Sequence, residues 1–166
     1  MVMEAIVDDA MKAKILKLLD QHRIMRLATV RPDGWPQVTT VGYVNLGLTL
    51  YFLCGLNSQK AANLARDDRV SLAIDHDTSP AMQITGLSMA ARAHAVVDRA
   101  EANQVLRMLP LKYPEHVSLP VKMPRQRMSV YSCDADGHLR ARLLLGFWTY
   151  RPRHLLSEAQ EQPRRS

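Results

Sequence analysis

The chain has 166 residues and a mass of 18.8 kDa, with 47% apolar and 23% charged residues, the size and balance of one soluble globular domain. No stretch approaches the ~20 consecutive apolar residues of a membrane span. The opening Met1 to Asp9 turns acidic where a secretory signal needs a basic start and an apolar middle, so a cytoplasmic protein with no membrane partner is expected. A net charge of +6 and a pI near 9.6 favour anionic partners, whether nucleic acid, a membrane surface or a phosphorylated small molecule.

Met11, Ile15, Leu18 and Leu19 fall at helical spacing and predict an amphipathic helix over Val7 to Arg23. Asp8 and Asp9 suit its first turn, and His22 and Arg23 its end. Its polar face mixes both charge signs, which argues against a membrane-surface helix. Strands follow at Ile24 to Val30, Gln37 to Val44 and Leu48 to Cys54, separated by the turn signals Pro32-Asp33-Gly34 and Asn45-Leu46-Gly47. These three strands predict an antiparallel meander.

A short helix is expected from Ser58 to about Arg66, then a strand from Val70 to Ile74. A long strand-like segment runs from Met82 to Val97, with Gly86 as a bulge or bend. Arg99 to Leu109 reads as a second helix. The proline-rich segment from Pro110 to Pro124 leaves one short strand candidate, Leu119 to Met123. Arg127 to Cys133 and Leu139 to Tyr150 are predicted to pair as a hairpin around Asp134-Ala135-Asp136-Gly137. The expectation is a mainly β protein, about six or seven antiparallel strands in a closed or partly closed barrel with flanking helices packed outside. Residues 1–156 form a single domain in this reading, and 157–166 a polar tail.

The sharpest chemical signal is Ser58-Gln59-Lys60-Ala61-Ala62-Asn63. Ser58 is a good N-cap, which places Lys60 in the first turn, where the helix dipole disfavours a cation. An anion held by the free backbone N–H groups and the ammonium together makes that placement favourable, and phosphate is the natural candidate. The plainer alternative is a lysine pointing into solvent. Arg26 interrupts the strand Ile24 to Val30 on the face of Ile24, Ala28 and Val30. Its guanidinium there calls for a charged partner, either a phosphate or an intramolecular Asp or Glu.

The run Arg26-Leu27-Ala28-Thr29-Val30-Arg31-Pro32-Asp33-Gly34-Trp35-Pro36 resembles the first hairpin of the FMN-binding split-barrel proteins, the pyridoxamine 5′-phosphate oxidase-like superfamily. Leu50 to Cys54, Ser58 to Leu64 and Asp68 to Leu72 are similar to its phosphate-binding strand, loop and helix, and Gly86 to Asp98 to the strand beyond. The ordered set covers roughly residues 12 to 109. The resemblance implies an antiparallel split β-barrel and a homodimer with FMN sites at the subunit interface. It further implies a phosphate held by Arg26, Ser58 and Lys60, with Gln59 beside them. The backbone at Thr29, Val30 and Arg31 would follow the ribityl chain and ring, Leu53 and Cys54 would touch the cofactor, and Gln83 would reach the ring edge. The activity implied is FMN-dependent hydride transfer to or from a small molecule, with no catalytic side chain assigned. The deazaflavin F420 and a non-catalytic flavin-binding role are the alternatives.

The chain departs from that family at several points. Cys54 stands where the strand often ends in Thr, and Gln59 where the oxidases carry a second basic residue. Their arginine-histidine-aspartate pattern is absent from Arg151-Pro152-Arg153-His154-Leu155, so pyridoxamine phosphate oxidase activity itself is not expected.

Rival chemistries find little support. His22, His76, His94, His116, His138 and His154 show no metal-ligand spacing, although some split-barrel relatives bind haem. The acidic turns at Asp75-His76-Asp77 and Asp134 to Gly137 lack the later ligand of a calcium loop. Cys54 and Cys133 are expected to stay reduced. Lys122, Arg125, Arg127, Arg140, Arg142, Arg151 and Arg153 make the C-terminal third basic, which names nucleic acid as the rival partner. The sparse aromatics and the lack of a recognition-helix or RNA-binding signature weigh against it.

Overall fold

The computed structural model describes residues 9–75, 85–115, 128–135 and 141–145. Gln83, the Leu119 to Met123 candidate, the tail from 157 and most of the C-terminal basic residues lie outside them. The elements run α1 (Asp9–Gln21), β1 (Ile24–Val30), β2 (Pro36–Gly42), β3 (Val44–Leu46), β4 (Thr49–Gly55), α2 (Gln59–Arg66), β5 (Arg69–Asp75), β6 (Thr85–Ala95), α3 (Arg99–Lys112), β7 (Met128–Ala135) and β8 (Ala141–Leu145). No helix among the described residues is long and apolar enough to cross a membrane.

The strands form one antiparallel sheet in the order β2-β1-β5-β6-β7-β4-β3, with β8 on β6. The expected meander is corrected by this order. β1 pairs with β2, and β3 with β4, but these two hairpins stand at opposite ends of the sheet. The edges β2 and β3 are joined through the single residue Tyr43, so the sheet must curl until its ends meet. That makes it a barrel.

The expected hairpin of the last two strands is also corrected. β6 is long enough to offer one edge twice, pairing Thr85 to Met89 with β8 and Ala91 to Ala95 with β7. Gly86 is no bulge: it stays in register with Asp75 and Leu144. A Cβ there would lie 2.8 Å from the Ile74 carbonyl oxygen, so close backbone approach requires glycine.

Alternation divides β4 between two cores. Leu50, Phe52 and Cys54 join Met25, Leu27, Leu72, Met89 and Tyr131 inside the barrel, where α1 adds Ile15, Leu18 and Leu19 and α2 adds Ala61 and Leu64. Tyr51 and Leu53 face the other way, onto Val105 of α3 with Val44, Tyr113 and Val130. Thus α3 packs outside, as expected, while α1 and α2 contribute to the interior.

The closure point is tied by hydrogen bonds. Tyr113 Oη accepts from the Tyr43 N–H at 2.7 Å, and its single proton is within reach of the Tyr43 carbonyl at 2.8 Å and of the Arg23 carbonyl. Gly42 makes room for that hydroxyl, since a Cβ would sit 3.0 Å from it. Tyr43 in turn donates to the Leu19 carbonyl at the end of α1, at 2.9 Å, and Lys112 Nζ donates to the same oxygen at 3.1 Å while lying 3.8 Å over the Tyr43 ring. These groups satisfy a helix terminus that would otherwise be unpaired.

Replacing Tyr113 by Phe should leave the buried Tyr43 N–H unsatisfied and cost about 1–3 kcal/mol, read as a lower denaturation midpoint with an unchanged slope. Burial holds the Lys112 ammonium below the ordinary lysine value, at about 8. Between that pH and 10.5 the folded chain binds fewer protons than the unfolded one, so stability rises with pH. The difference in stability between wild type and Lys112→Met should move in favour of wild type across this window in a pH series of unfolding curves.

Candidate functional site

β4 ends at Gly55, whose carbonyl accepts from the Ser58 N–H at 3.0 Å and turns the chain tightly into α2. Ser58 caps the helix in extended conformation, its Oγ accepting from the Ala61 N–H at 3.2 Å. The Cys54 Sγ lies 3.1 Å from the same Oγ. The N–H groups of Gln59 and Lys60 are first-turn donors, which helix geometry leaves without intrahelical acceptors.

Lys60 is half-buried at this turn, with Nζ 5.6 Å from the centre of the Phe52 ring. Burial lowers its pKa, opposed by a smaller contribution from Cys54. Among the described residues no carboxylate forms an ion pair with it. The turn therefore sets a partly desolvated ammonium and first-turn N–H donors over the Phe52 ring.

The structure brings Cys54, Ser58 and Lys60 together. Thr29 is buried and accepts from Asn63 Nδ2 of α2 at 2.9 Å. Val30 ends β1 and Arg31 follows it, and their carbonyl oxygens accept from Arg66 Nη2 at 3.4 and 2.8 Å. Gln59 is exposed, and its amide donates to Asn63 Oδ1 at 2.9 Å. Leu53 points away from Cys54, toward α3.

Arg26 leaves β1 on the face opposite Thr29, and its guanidinium is ion-paired with Asp75 of β5. The intramolecular partner, left open by the sequence, is the one found. On this outer face Ile24 is 44% and Val38 63% exposed. Gln83 lies outside the described residues.

Sequence reasoning missed three residues here. Asn63 was part of the quoted run without a role, yet it is fully buried and joins Thr29, Gln37 and Gln59. Its spacing of four from Gln59 was the available signal. Gln37 and Arg66 carried none, because their partners are distant in sequence. Cys54 and Cys133 are both free and buried, and burial pushes the Cys133 thiol up to about 12. The described residues contain no cluster of His, Cys, Asp or Glu able to hold a metal ion.

This strand, loop and helix arrangement on a closed antiparallel sheet defines a split-barrel protein. The chain belongs to the pyridoxamine 5′-phosphate oxidase family, whose model matches residues 11–137. Among solved structures it is similar to the conserved hypothetical protein Rv2991 from Mycobacterium tuberculosis, at 25% identity and a TM-score of 0.66, covering 79% of this chain and 82% of that one. It is similar also to HutZ, the heme storage protein of Vibrio cholerae, at 19% identity and a TM-score of 0.65, covering 81% and 95%. An FAD-binding protein from Mesorhizobium loti aligns at 17% identity and a TM-score of 0.60, covering 75% and 88%. None of the curated proteins matches the chain by sequence.

The Lys60 side chain should titrate below the ordinary lysine value of 10.5, followed through its Cε resonance by NMR. Adding a phosphate-bearing ligand at this turn should move that midpoint upward.

Proposed function

We propose that this protein is an FMN-dependent oxidoreductase acting on a small molecule other than pyridoxamine phosphate. The observation that carries the reading is Lys60, a half-buried cation at a capped helix N-terminus without an acidic partner among the described residues. The donor set fits a phosphate monoester: two free first-turn N–H groups and an ammonium. Membership of the family supports flavin as the group that carries it.

In this reading Ser58 shapes the turn as the helix cap, and Lys60 supplies the charge. Arg26, on the opposite face of β1, stays paired with Asp75 in an exposed ion pair and is not part of this donor set. The end of β1, at Thr29, Val30 and Arg31, borders the ribityl chain and ring. When bound, FMN supplies hydride transfer at its N5. The residues of this chain bind and orient it. The exposed apolar residues Ile24 and Val38 on the Arg26 face of the first hairpin mark the surface on which a second copy packs to form a homodimer.

Lys60→Ala should weaken FMN binding about ten- to a hundredfold with an unchanged fold, measured by quenching of flavin fluorescence. Equal affinity in the variant would remove the phosphate assignment. Parallel titrations with F420 and haem separate those occupants, and reduction of bound FMN by NADH or NADPH followed by reoxidation separates an enzyme from a carrier.

A further inference from the structure

Asn63 is 0% exposed, and each of its amide groups is used. Nδ2 donates to Thr29 Oγ1 of β1 at 2.9 Å and to Gln37 Oε1 of β2 at 3.0 Å. Oδ1 accepts from Gln59 Nε2, on the first turn of α2, at 2.9 Å. One side chain therefore joins the turn that carries Lys60 to both strands of the first hairpin. Thr29 and Gln37 face each other in the β1–β2 register, so the contact spans the hairpin at a single rung. Arg66, at the far end of the same helix, ties down the carbonyl groups of Val30 and Arg31.

We infer that Asn63 is the positioning residue of the cofactor site, fixing the distance between the anion-binding turn of α2 and the strand end at Thr29 to Arg31. The inference rests on the flavin reading above for what spans that distance. FMN engages both parts at once, and its phosphate gains only if the turn stands at the right offset from the strand. A ligand that uses the strand alone, such as riboflavin, has no such requirement. A satisfied buried amide suits this role, because removing it leaves several donors and acceptors without partners and lets α2 shift.

The test compares wild type with Asn63→Leu, and with Gln37→Leu as a second variant that cuts the link from Asn63 to β2 if the first does not fold. FMN affinity should fall tenfold or more, while riboflavin affinity changes less than twofold. Hydrogen exchange on the cofactor-free proteins should show the α2 amides of Ala62 and Asp67 exchanging at least tenfold faster. The Arg31 amide, held by the Trp35 carbonyl in the hairpin turn, should keep its rate. Equal losses for FMN and riboflavin, or equal acceleration of both amide sets, would reduce Asn63 to a stabilising core residue and overturn the inference. Should wild type bind neither flavin, the proposed function fails, and the exchange data alone decide whether Asn63 couples the helix to the hairpin.

Discussion

The architecture depends on one constraint: the two edges of the sheet are consecutive pieces of the same strand-like stretch, β2 and β3, joined at Tyr43. A flat sheet would separate its edges by the width of five intervening strands. A chain that crosses from one to the other in a single residue leaves closure as the solution, and closure also removes open edges that invite aggregation. Tyr43 is fully buried at the seam. Its backbone is bonded by Tyr113 at the end of α3, and its hydroxyl by the end of α1, so both helix termini are fixed to the point where the barrel shuts.

Closure also decides where polar chemistry can be placed. Inside the barrel an unpaired polar group costs about 1–3 kcal/mol. Among the described residues the buried polar side chains are Thr29 and Asn63, and they are bonded to each other. Both stand where α2 closes over the end of β1. The buried hydroxyls of Tyr43 and Tyr113 are bonded at the seam, and charges such as Arg26, Asp75, Arg92 and Asp68 pair on the surface. The Thr29–Asn63 contact thus seats α2 on the first hairpin, as the tyrosine network fixes the seam.

Local signals in the sequence located most elements. β1 was legible to the residue, because the β-compatible run from Ile24 to Val30 is closed by the turn signal Pro32-Asp33-Gly34. The Ser58 cap was legible because its bond to Ala61 spans three residues. The sheet order was not. Nothing near Asn45 says that β3 pairs only with β4, or that β7 and β8 share an edge of β6, since these are long-range pairings fixed by closure. Within the site the same division holds. Lys60 and Ser58 could be found from one helical turn, whereas the partner of Arg26 lies 49 residues away and that of Thr29 lies 34 away.

The split barrel itself does not choose a ligand. Structures with this fold carry names as different as heme storage and FAD binding, so the choice must come from side chains. Among the described residues the histidines are His22, whose Nδ1 lies 2.8 Å from the Leu18 carbonyl, and His94, which faces Asp68 at 3.6 Å. Neither stands at the α2 turn. What stands there is an ammonium over Phe52, a capped helix start and a thiol against the cap. Arg26 is separated from it by the thickness of β1. The part of β1 that Asn63 and Arg66 hold to the helix is its end, at Thr29 and Val30. The residues that grip the anion and the residues that hold the strand thus belong to one helix, so the geometry of the whole site reduces to how α2 is seated on the first hairpin.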